Sequence, residues 1–167
     1  MWLLWHKSKA LKQYPEHNIK VLKFCEENGF YTTEATSKAM AKIKSKDTKP
    51  EIIFRKSLWK LGYRYKKNVK TLPGSPDIVF NKYKLAIFID GDFWHGYDWH
   101  EKKKKLKSNR RFWIPKIERN MQRDIQNNVA LGKMGYEVFR FWEKDIKKEL
   151  DLCIQEVVGF IESKKWK

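Results

Sequence analysis

Two aspartates and a histidine near the middle of the chain are residue types that metal-assisted hydrolysis uses. Asp77 begins one predicted strand, Asp90 ends the next, and His95 lies in the stretch IFIDGDFWHGYDWH. Antiparallel pairing of the two strands would bring both carboxylates to the same end of a sheet, where they can hold a divalent cation. A histidine beside such a pair is suited to act as a general base. Phosphodiester hydrolysis needs these groups together with cationic side chains for the phosphates.

Each of these residues also has an ordinary structural explanation. Asp77 can be a turn residue after Pro76, and His95 can be a core or surface histidine. Glu51 lies in the first turn of a predicted helix, where the helix dipole favours an acidic side chain. Asp124 can be a solvated helix charge or the acidic group that orients His95. Only their joint placement favours a catalytic site.

The composition favours a single folded domain with a polyanionic partner. The 167 residues include 37 Lys and Arg against 20 Asp and Glu, a formal net charge of +17. Nucleic acid is the simplest such partner, although a ribosomal role or an anionic membrane surface would also use this charge. Cys25 and Cys153 have no CxxC spacing, which favours a reducing cytosol over a disulfide framework. The apolar part of the opening MWLLWHKSK is too short for a signal peptide or a membrane span, so we expect a cytoplasmic protein.

Apolar periodicity and turn residues predict the elements that would position these groups. The predicted helices cover residues 15–28, 36–43, 50–61, 114–131 and 144–163, and the predicted strands are YRYKK, DIVF, KLAIFID and YEVFRFW. DIVF and KLAIFID are separated by two residues and form a predicted β-hairpin. The lysine-rich run EKKKKLKSNRR is predicted to be a loop. We therefore expect a mixed α+β protein of the α/β type, with one central mixed sheet flanked by helices.

Five blocks of the sequence resemble a known family. SKAMAKIKSKDTKPE, LPGSPDIVF, IFIDGDFWH, FWIPKIERNMQRD and GYEVFRFWE follow one another as the signature blocks of the Vsr-type very-short-patch mismatch repair endonucleases do. The resemblance covers about residues 37 to 145. It implies a restriction-endonuclease-like core of the PD-(D/E)xK superfamily, with three α/β/α layers. Residues 37–167 would be the endonuclease domain. Residues 1–36 fall outside the resemblance and are predicted to be an N-terminal helical extension, which could pack on the domain, extend the DNA footprint or hold a partner.

The resemblance also implies an activity and a catalytic set. The activity would be magnesium-dependent nicking of one DNA strand beside a T:G mismatch. The implied catalytic residues are Asp77, His95, Asp124, Glu51 and Asp90, and the implied metal ligands are Asp77, the main-chain carbonyl of Ile89, and Asp90. Asp90 stands where the family has a second histidine, so its carboxylate could ligate the metal directly. Asp92 stands where a PD-(D/E)xK site would have its lysine, so either His95 supplies the base or the catalytic arrangement has been rebuilt.

Aromatic and basic residues around the same loop match DNA-binding positions of the family. Those implied to wedge into the base stack are Met40, Phe93, Trp94 and Trp113. Those implied to neutralise phosphates are Lys102, Lys103, Lys104, Lys105, Lys107, Arg110 and Arg111. From composition alone, Phe93 and Trp94 could equally be core residues, and the lysine run could be a solvated surface.

The resemblance departs from the family at the structural zinc site. Asp92, Tyr97, Trp99 and Lys144 stand where the family has Cys and His ligands, so we expect no structural zinc. The implied partner is double-stranded, mismatched DNA, with a mismatch-repair protein as a second partner. We expect a monomer in the prokaryotic cytosol or nucleoid, with no membrane association. Two alternatives stay open: a homing or restriction-like endonuclease that cuts matched DNA, and a catalytically idle DNA-binding protein.

Overall fold

The computed structural model describes residues 18–44 and 46–165. Five helices and four strands form the fold. The helices are α1 (Glu34–Ala41), α2 (Lys49–Lys60), α3 (Trp99–Lys105), α4 (Arg110–Lys133) and α5 (Glu143–Lys165), and the strands are β1 (Lys66–Lys67), β2 (Ile78–Phe80), β3 (Leu85–Asp90) and β4 (Glu137–Trp142). None of the helices in this part of the chain has the length and apolar character needed to cross a bilayer.

The four strands form one mixed sheet in the order β1-β2-β3-β4. β2 runs antiparallel to β1 and β3, whereas β4 runs parallel to β3. A short 3₁₀ turn, Asn81–Tyr83, closes the β2–β3 hairpin, with Lys84 in the left-handed region at φ 48°. Because Ile78 pairs with Ile87, the preceding residue Asp77 lies opposite the C-terminal part of β3. The predicted hairpin therefore places Asp77 and Asp90 at the same end of the sheet.

Alternate residues of β3 face two different layers of helix. Ile87 packs in one core cluster with Phe54 of α2 and Ile154 of α5. Phe88 packs on the other face, against Leu131 of α4. Every residue of β3 is buried, as expected for a central strand that is covered on both sides. The result is a three-layer α/β/α arrangement, which confirms the predicted restriction-endonuclease-like fold class.

The predicted N-terminal helix over residues 15–28 is wrong for its described part. Residues 18–25 are not helical, and only Glu26–Asn28 form a 3₁₀ turn, which ends at Gly29 with φ 74°. The main chain of Ile19 instead bonds α4: its N–H donates to Gln122 Oε1 at 3.1 Å, and its carbonyl accepts from Arg119 at 2.9 Å. These tertiary bonds use backbone groups that a helix would need for itself. Residues 1–17, which include the opening MWLLWHKSK and the start of this predicted helix, lie outside the described residues.

The region between β3 and β4 also differs from its prediction. The lysine run is not a loop, because Lys102–Lys105 belong to α3. α4 begins at Arg110, four residues before the predicted start, so that Pro115 lies inside the helix. The early start places Phe112 in ring contact with Phe24 of the N-terminal segment, with centroids 4.9 Å apart. Tertiary packing thus outweighs the preference of proline for the first helical turn.

Candidate active site

Asp77 immediately precedes β2 and lies opposite the C-terminal part of β3. Its Oδ2 accepts a hydrogen bond from the main-chain N–H of Ile89 at 2.7 Å. Burial raises the pKa of the Asp77 carboxyl to about 7, and the negative charges of Glu51 and Asp90 act in the same direction. The hydrogen bond from Ile89 opposes this shift but does not cancel it. A carboxyl in this position would be stabilised as an anion by a nearby cation.

His95 is held against α4 by a bond to Asp124. The His95 Nδ1 lies 2.7 Å from Asp124 Oδ2 and 3.5 Å from Asp90 Oδ1. The next residue, Gly96, has φ 73°, and a Cβ at this position would collide with the side chain of Met121 on α4. Glycine therefore allows the loop after β3 to approach α4 closely enough for the two side chains to meet.

The pKa values of this pair move in opposite directions. Burial disfavours the charged form of His95, but the hydrogen bond to Asp124 and the charges of Asp90 and Asp124 outweigh it and raise its pKa. For Asp124, burial is likewise opposed and outweighed by the bond to His95 and by the charge of Arg140, so its pKa is lowered. An ionised Asp124 accepts the Nδ1–H of His95 and leaves Nε2 to accept a proton.

Arg140 on β4 joins the acidic groups of the site and was missed by the sequence reasoning. Its Nε and Nη2 donate to Asp90 at 2.6 and 2.7 Å, and Nη2 also lies 3.0 Å from Asp124 Oδ1. Its Nη1 donates to Asn128 at 3.1 Å. Burial alone would lower the pKa of Arg140, but the charge of Asp90 is the largest of the effects that raise it. A lone arginine in the apolar strand EVFRFW is the signal that could have identified it, since a buried arginine needs a paired anion.

The ion pair with Arg140 bears on the predicted role of Asp90. Both carboxylate oxygens of Asp90 accept from Arg140, and the side chain is only 5% exposed. A cation bound to Asp90 would have to share these oxygens with the guanidinium. The metal-binding role of Asp90 stays a prediction, and its pairing with Arg140 is an observed alternative use of the same carboxylate.

Glu51 has a local structural role as well as a place near the site. It is buried in the first turn of α2, and it accepts hydrogen bonds from the Thr48 hydroxyl and the Asp47 main-chain N–H, both at 2.9 Å. These bonds resemble one half of a capping box. The charge of Glu51 also raises the pKa of Asp77, so it lies close enough to affect the Asp77 carboxyl.

The oxygen donors at this end of the sheet fit a hard divalent cation of the kind that nucleases of this class generally use. Within residues 18–44 and 46–165, no cluster of three or more His, Cys, Asp or Glu side chains has the geometry of a metal centre. Mg²⁺ does not require one, because it usually binds one or two carboxylates together with waters and substrate phosphates. Asp77 supplies a part-buried carboxyl whose pKa is raised to about 7, mainly by desolvation and further by the charges of Glu51 and Asp90.

Three of the four predicted wedge residues form one aromatic cluster beside the His95 loop. The ring centroids of Phe93, Trp94 and Trp113 lie 5.3 to 5.8 Å apart in pairs. Phe93 is 37% exposed, whereas Trp94 and Trp113 are half-buried. Met40 belongs to α1, outside this cluster. The structure thus places the exposed ring of Phe93 against the half-buried rings of Trp94 and Trp113.

The predicted phosphate-binding cations divide into two groups. Four have partners within the protein: Lys103 pairs with Glu118 at 2.6 Å, Lys104 pairs with Glu101 at 2.8 Å, and Lys102 and Arg110 donate to main-chain carbonyls. The others are Lys105, Lys107 and Arg111, which are exposed. Their side chains form no hydrogen bond or ion pair with the part of the chain that is described. These three are the cations available to an external anion.

Residues at the zinc positions of the family make other contacts here. The Lys144 ammonium lies 3.5 Å from the ring centroid of Tyr97, and Trp99 Nε1 donates to Glu118 at 3.2 Å. The Tyr97 ring also packs edge-on against Trp142, with centroids 5.2 Å apart. Asp92 Oδ1 is buried and has no hydrogen-bond partner among residues 18–44 and 46–165. A cation–π contact thus helps to hold the loop against β4 and α5.

The fold and the site define a class of protein, a restriction-endonuclease-like hydrolase. Comparison with known proteins identifies the family within this class. The family model described as DNA mismatch endonuclease Vsr matches residues 28–101. The type II nicking enzyme V.NmeDIP of Neisseria meningitidis serogroup C is 48% identical over 126 residues, which are 75% of this chain and 85% of that protein.

Two further relatives extend the comparison. The type II nicking enzyme V.HpaIIP of Haemophilus parainfluenzae is 52% identical over 131 residues, 76% of this chain and 93% of that protein. The DNA mismatch endonuclease Vsr of Escherichia coli (strain K12) is 34% identical over 108 residues, 64% of this chain and 68% of that protein. The chain belongs to the Vsr family of DNA endonucleases, which are hydrolases that cleave DNA.

Proposed function

We propose that this protein nicks one strand of double-stranded DNA next to a T:G mismatch, with magnesium as its cofactor, in very-short-patch repair. The observation that carries the proposal is the His95–Asp124 pair, 2.7 Å apart, at the same end of the sheet as the buried Asp77. The names of the relatives support it, because they include type II nicking enzymes and a DNA mismatch endonuclease.

The proposed chemistry assigns one role to each group. His95 accepts a proton from the attacking water through Nε2, and Asp124 keeps the imidazole in the orientation and tautomer that this requires. Asp77 and the main-chain carbonyl of Ile89 would hold the magnesium ion. When bound, the ion supplies positive charge that stabilises the negative charge developing on the phosphate oxygens. Glu51 adds negative potential at Asp77, which favours the bound cation.

The aromatic cluster is the proposed mismatch sensor. Phe93, Trp94 and Trp113 would enter the base stack, and Met40 of α1 would contribute a further apolar contact. Unstacking a base step costs roughly a few kcal/mol and costs least where pairing is already imperfect. An apolar wedge therefore distinguishes mismatched from matched DNA by the free-energy cost of unstacking the bases. It does not need to recognise a hydrogen-bond pattern.

The proposed setting follows from charge and family. A formal charge of +17 favours DNA as the polyanionic partner. We further propose that the protein acts as a monomer in the prokaryotic cytosol or nucleoid, with a mismatch-repair protein as a second partner and without structural zinc or membrane association. The division into an extension over residues 1–36 and a catalytic domain over residues 37–167 belongs to the same proposal.

A second candidate is cleavage of matched DNA by the same fold. The observation that favours it is the Asp90–Arg140 ion pair, which stands where the family has a second histidine. A site reorganised around this pair is compatible with a different target. The chemistry at Asp77 and His95 would be the same in both cases, so only the substrate separates the two functions.

The test is nicking of end-labelled duplexes that differ by one base pair. One duplex carries a T:G mismatch in a 5-methylcytosine context and the other is fully paired, and each is incubated with magnesium or with EDTA. A single magnesium-dependent nick beside the mismatched thymine is the expected result. Cutting of both duplexes would favour the second candidate. Binding without cutting, in protein whose fold is intact, would contradict both.

A further inference from the structure

A cleft of about 380 Å³ lies on the α4 side of the sheet, and His95, Asp124 and Arg140 form part of its lining. One wall is the loop before β2 at Gly74 and Ser75, and the opposite wall is α4 at Arg123 and Asn127. The size falls within the range of roughly 300 to 1,000 Å³ that is typical of ligand sites. None of Ser75, Arg123 and Asn127 has a role in the chemistry proposed above.

The walls of the cleft are held together by a close approach of the loop to α4. Gly74 has φ 75°, and a Cβ at this position would lie 2.7 Å from the Asn127 amide nitrogen and 3.1 Å from the Phe88 ring. Only glycine combines this backbone conformation with so small a separation. The loop and the helix therefore form a defined cleft whose inner end is Phe88 of β3.

The polar groups of the cleft favour an anion. Asp124 is already paired with His95 and Arg140, so its charge is locally neutralised. Arg123 is exposed and makes one weak hydrogen bond, to Asn120 Oδ1 at 3.3 Å. It forms no ion pair with any described residue. The Arg123 guanidinium interacts with the charge of Asp124 but is not bonded to it, so it can pair with an external anion.

Neutral hydrogen-bonding groups lie beside that guanidinium. Within residues 18–44 and 46–165, the Ser75 hydroxyl and the Asn127 side-chain amide have no hydrogen-bond partner. A guanidinium, an amide and a hydroxyl together can donate several hydrogen bonds to the oxygens of a phosphate. Since His95 also lines the cleft, a phosphate held here can belong to the same DNA strand that passes His95.

We propose that this cleft binds a phosphodiester of the nicked strand that neighbours the scissile one, with Arg123 as its cationic contact and Ser75 and Asn127 as hydrogen-bond donors. The assignment rests on the proposed function, because it assumes that a DNA strand passes His95. Phosphates of one strand follow each other every ~3.4 Å of helix axis. A strand with one phosphate at His95 therefore brings an adjacent phosphate to the cleft.

The test uses duplexes in which one phosphate at a time is replaced by an uncharged methylphosphonate, at each position within three nucleotides of the predicted nick. Binding is followed by fluorescence anisotropy in EDTA, so that no cleavage is needed. For the wild-type protein, we expect replacement of the neighbouring phosphate to weaken binding about tenfold. R123Q should weaken binding to the unmodified duplex by a similar factor. In this variant, replacing the neighbouring phosphate should cause no further loss of affinity.

The test compares the loss of binding free energy in the double change with the sum of the two single losses. If Arg123 contacts the replaced phosphate, the two losses do not add, because both changes remove the same contact. N127A should show the same lack of additivity at the same phosphate, with a smaller loss. R64Q is the matched control, since Arg64 is exposed and stacks on Trp59, 3.9 Å from the ring centroid to the guanidinium carbon. Its losses should add to those of every methylphosphonate near the nick.

Two results would overturn the assignment. One is wild-type affinity of R123Q for the unmodified duplex, and the other is an R123Q loss that adds to every replacement. The proposed function is judged separately by nicking. Normal nicking, with affinity losses for R123Q that add to those of every phosphate replacement, would support the proposed function and contradict the cleft assignment. Non-additive losses for R123Q and one phosphate replacement, in a protein that does not nick, would support the cleft assignment and contradict the proposed function.

Discussion

The guanidinium of Arg140 reaches from β4 to both carboxylate oxygens of Asp90 on β3, at 2.6 and 2.7 Å. The same guanidinium contacts Asp124, the partner of His95. One largely buried cation therefore neutralises the buried Asp90 and the partly buried Asp124, and it ties α4 to the centre of the sheet. This network makes the stability of the protein and the orientation of its candidate base depend on the same residue.

Replacing Arg140 should destabilise the fold. R140Q leaves Asp90 and Asp124 without their cation, and breaking a buried ion pair in this way costs about 3 to 5 kcal/mol. The free energy of unfolding from urea titration at pH 7 measures the loss. D90N/R140Q should recover part of it, because one unpaired charge is removed. R123Q, which changes an exposed arginine, is the control, and a loss for R140Q no larger than that of R123Q would contradict the network.

The acidic side of the pH–rate profile should depend on Asp124. The pKa of His95 is raised, so as pH falls the imidazole becomes protonated, and inactive as a base, at a higher pH than an ordinary histidine would. D124N removes the charge that raises this pKa and replaces the carboxylate acceptor with a neutral amide oxygen, which bonds the Nδ1–H less strongly. We expect the acidic limb to move to lower pH and the maximum rate to fall. Titration of the His95 imidazole by NMR in the metal-free protein checks the shift, and an unchanged pKa would rule out this role for Asp124.

Removing the Asp77 carboxyl should separate cleavage from binding. D77A should abolish nicking in magnesium while largely sparing affinity for the duplex, because Asp77 is proposed to hold the ion and not the DNA. Gel-based nicking and anisotropy on the same duplex measure the two properties. H95A should give nearly the same result. Wild-type nicking rates in both variants would show that the chemistry lies elsewhere.

Removing a wedge ring should affect mismatched DNA more than matched DNA. W94A, and F93A at the exposed end of the cluster, should lower the ratio of activity or affinity on the T:G duplex relative to the paired duplex. W59A is a matched control, because Trp59 is 52% exposed on α2. An equal loss on both duplexes, together with a lower melting temperature, would mean that Trp94 acts only as a packing residue.

The cations without internal partners should carry the salt dependence of binding. Each phosphate contact contributes about 0.9 to the slope of log affinity against log salt for duplex DNA. K105Q, K107Q and R111Q should therefore each reduce the slope by up to about that amount. K103Q should change it less, since Lys103 is paired with Glu118 at 2.6 Å. Equal slopes for all four variants would show that internal pairing does not decide which cations meet the DNA.

Local sequence patterns were sufficient to predict the main helices and strands and to predict that Asp77 and Asp90 lie at the same end of the sheet. Proline and glycine punctuation located α2, and the apolar run of β3 identified a strand that is buried on both sides. The hairpin between β2 and β3 needs only a short turn, so the prediction that Asp77 and Asp90 share one end of the sheet followed from antiparallel pairing alone. These features depend on interactions between residues close in the chain, and such interactions can be read from sequence.

Other features were decided only by contacts between distant segments. Residues 18–25 are not helical because Ile19 bonds α4, about a hundred residues away, although their own spacing favoured a helix. α4 starts early because Phe112 packs on Phe24. Arg140 meets Asp90 only through the parallel register of β3 and β4, which no local turn specifies. The sequence by itself therefore determined the family, the strands and the titratable groups, whereas the tertiary structure decided which charges neutralise one another, because that depends on distances that chain-local propensities do not set.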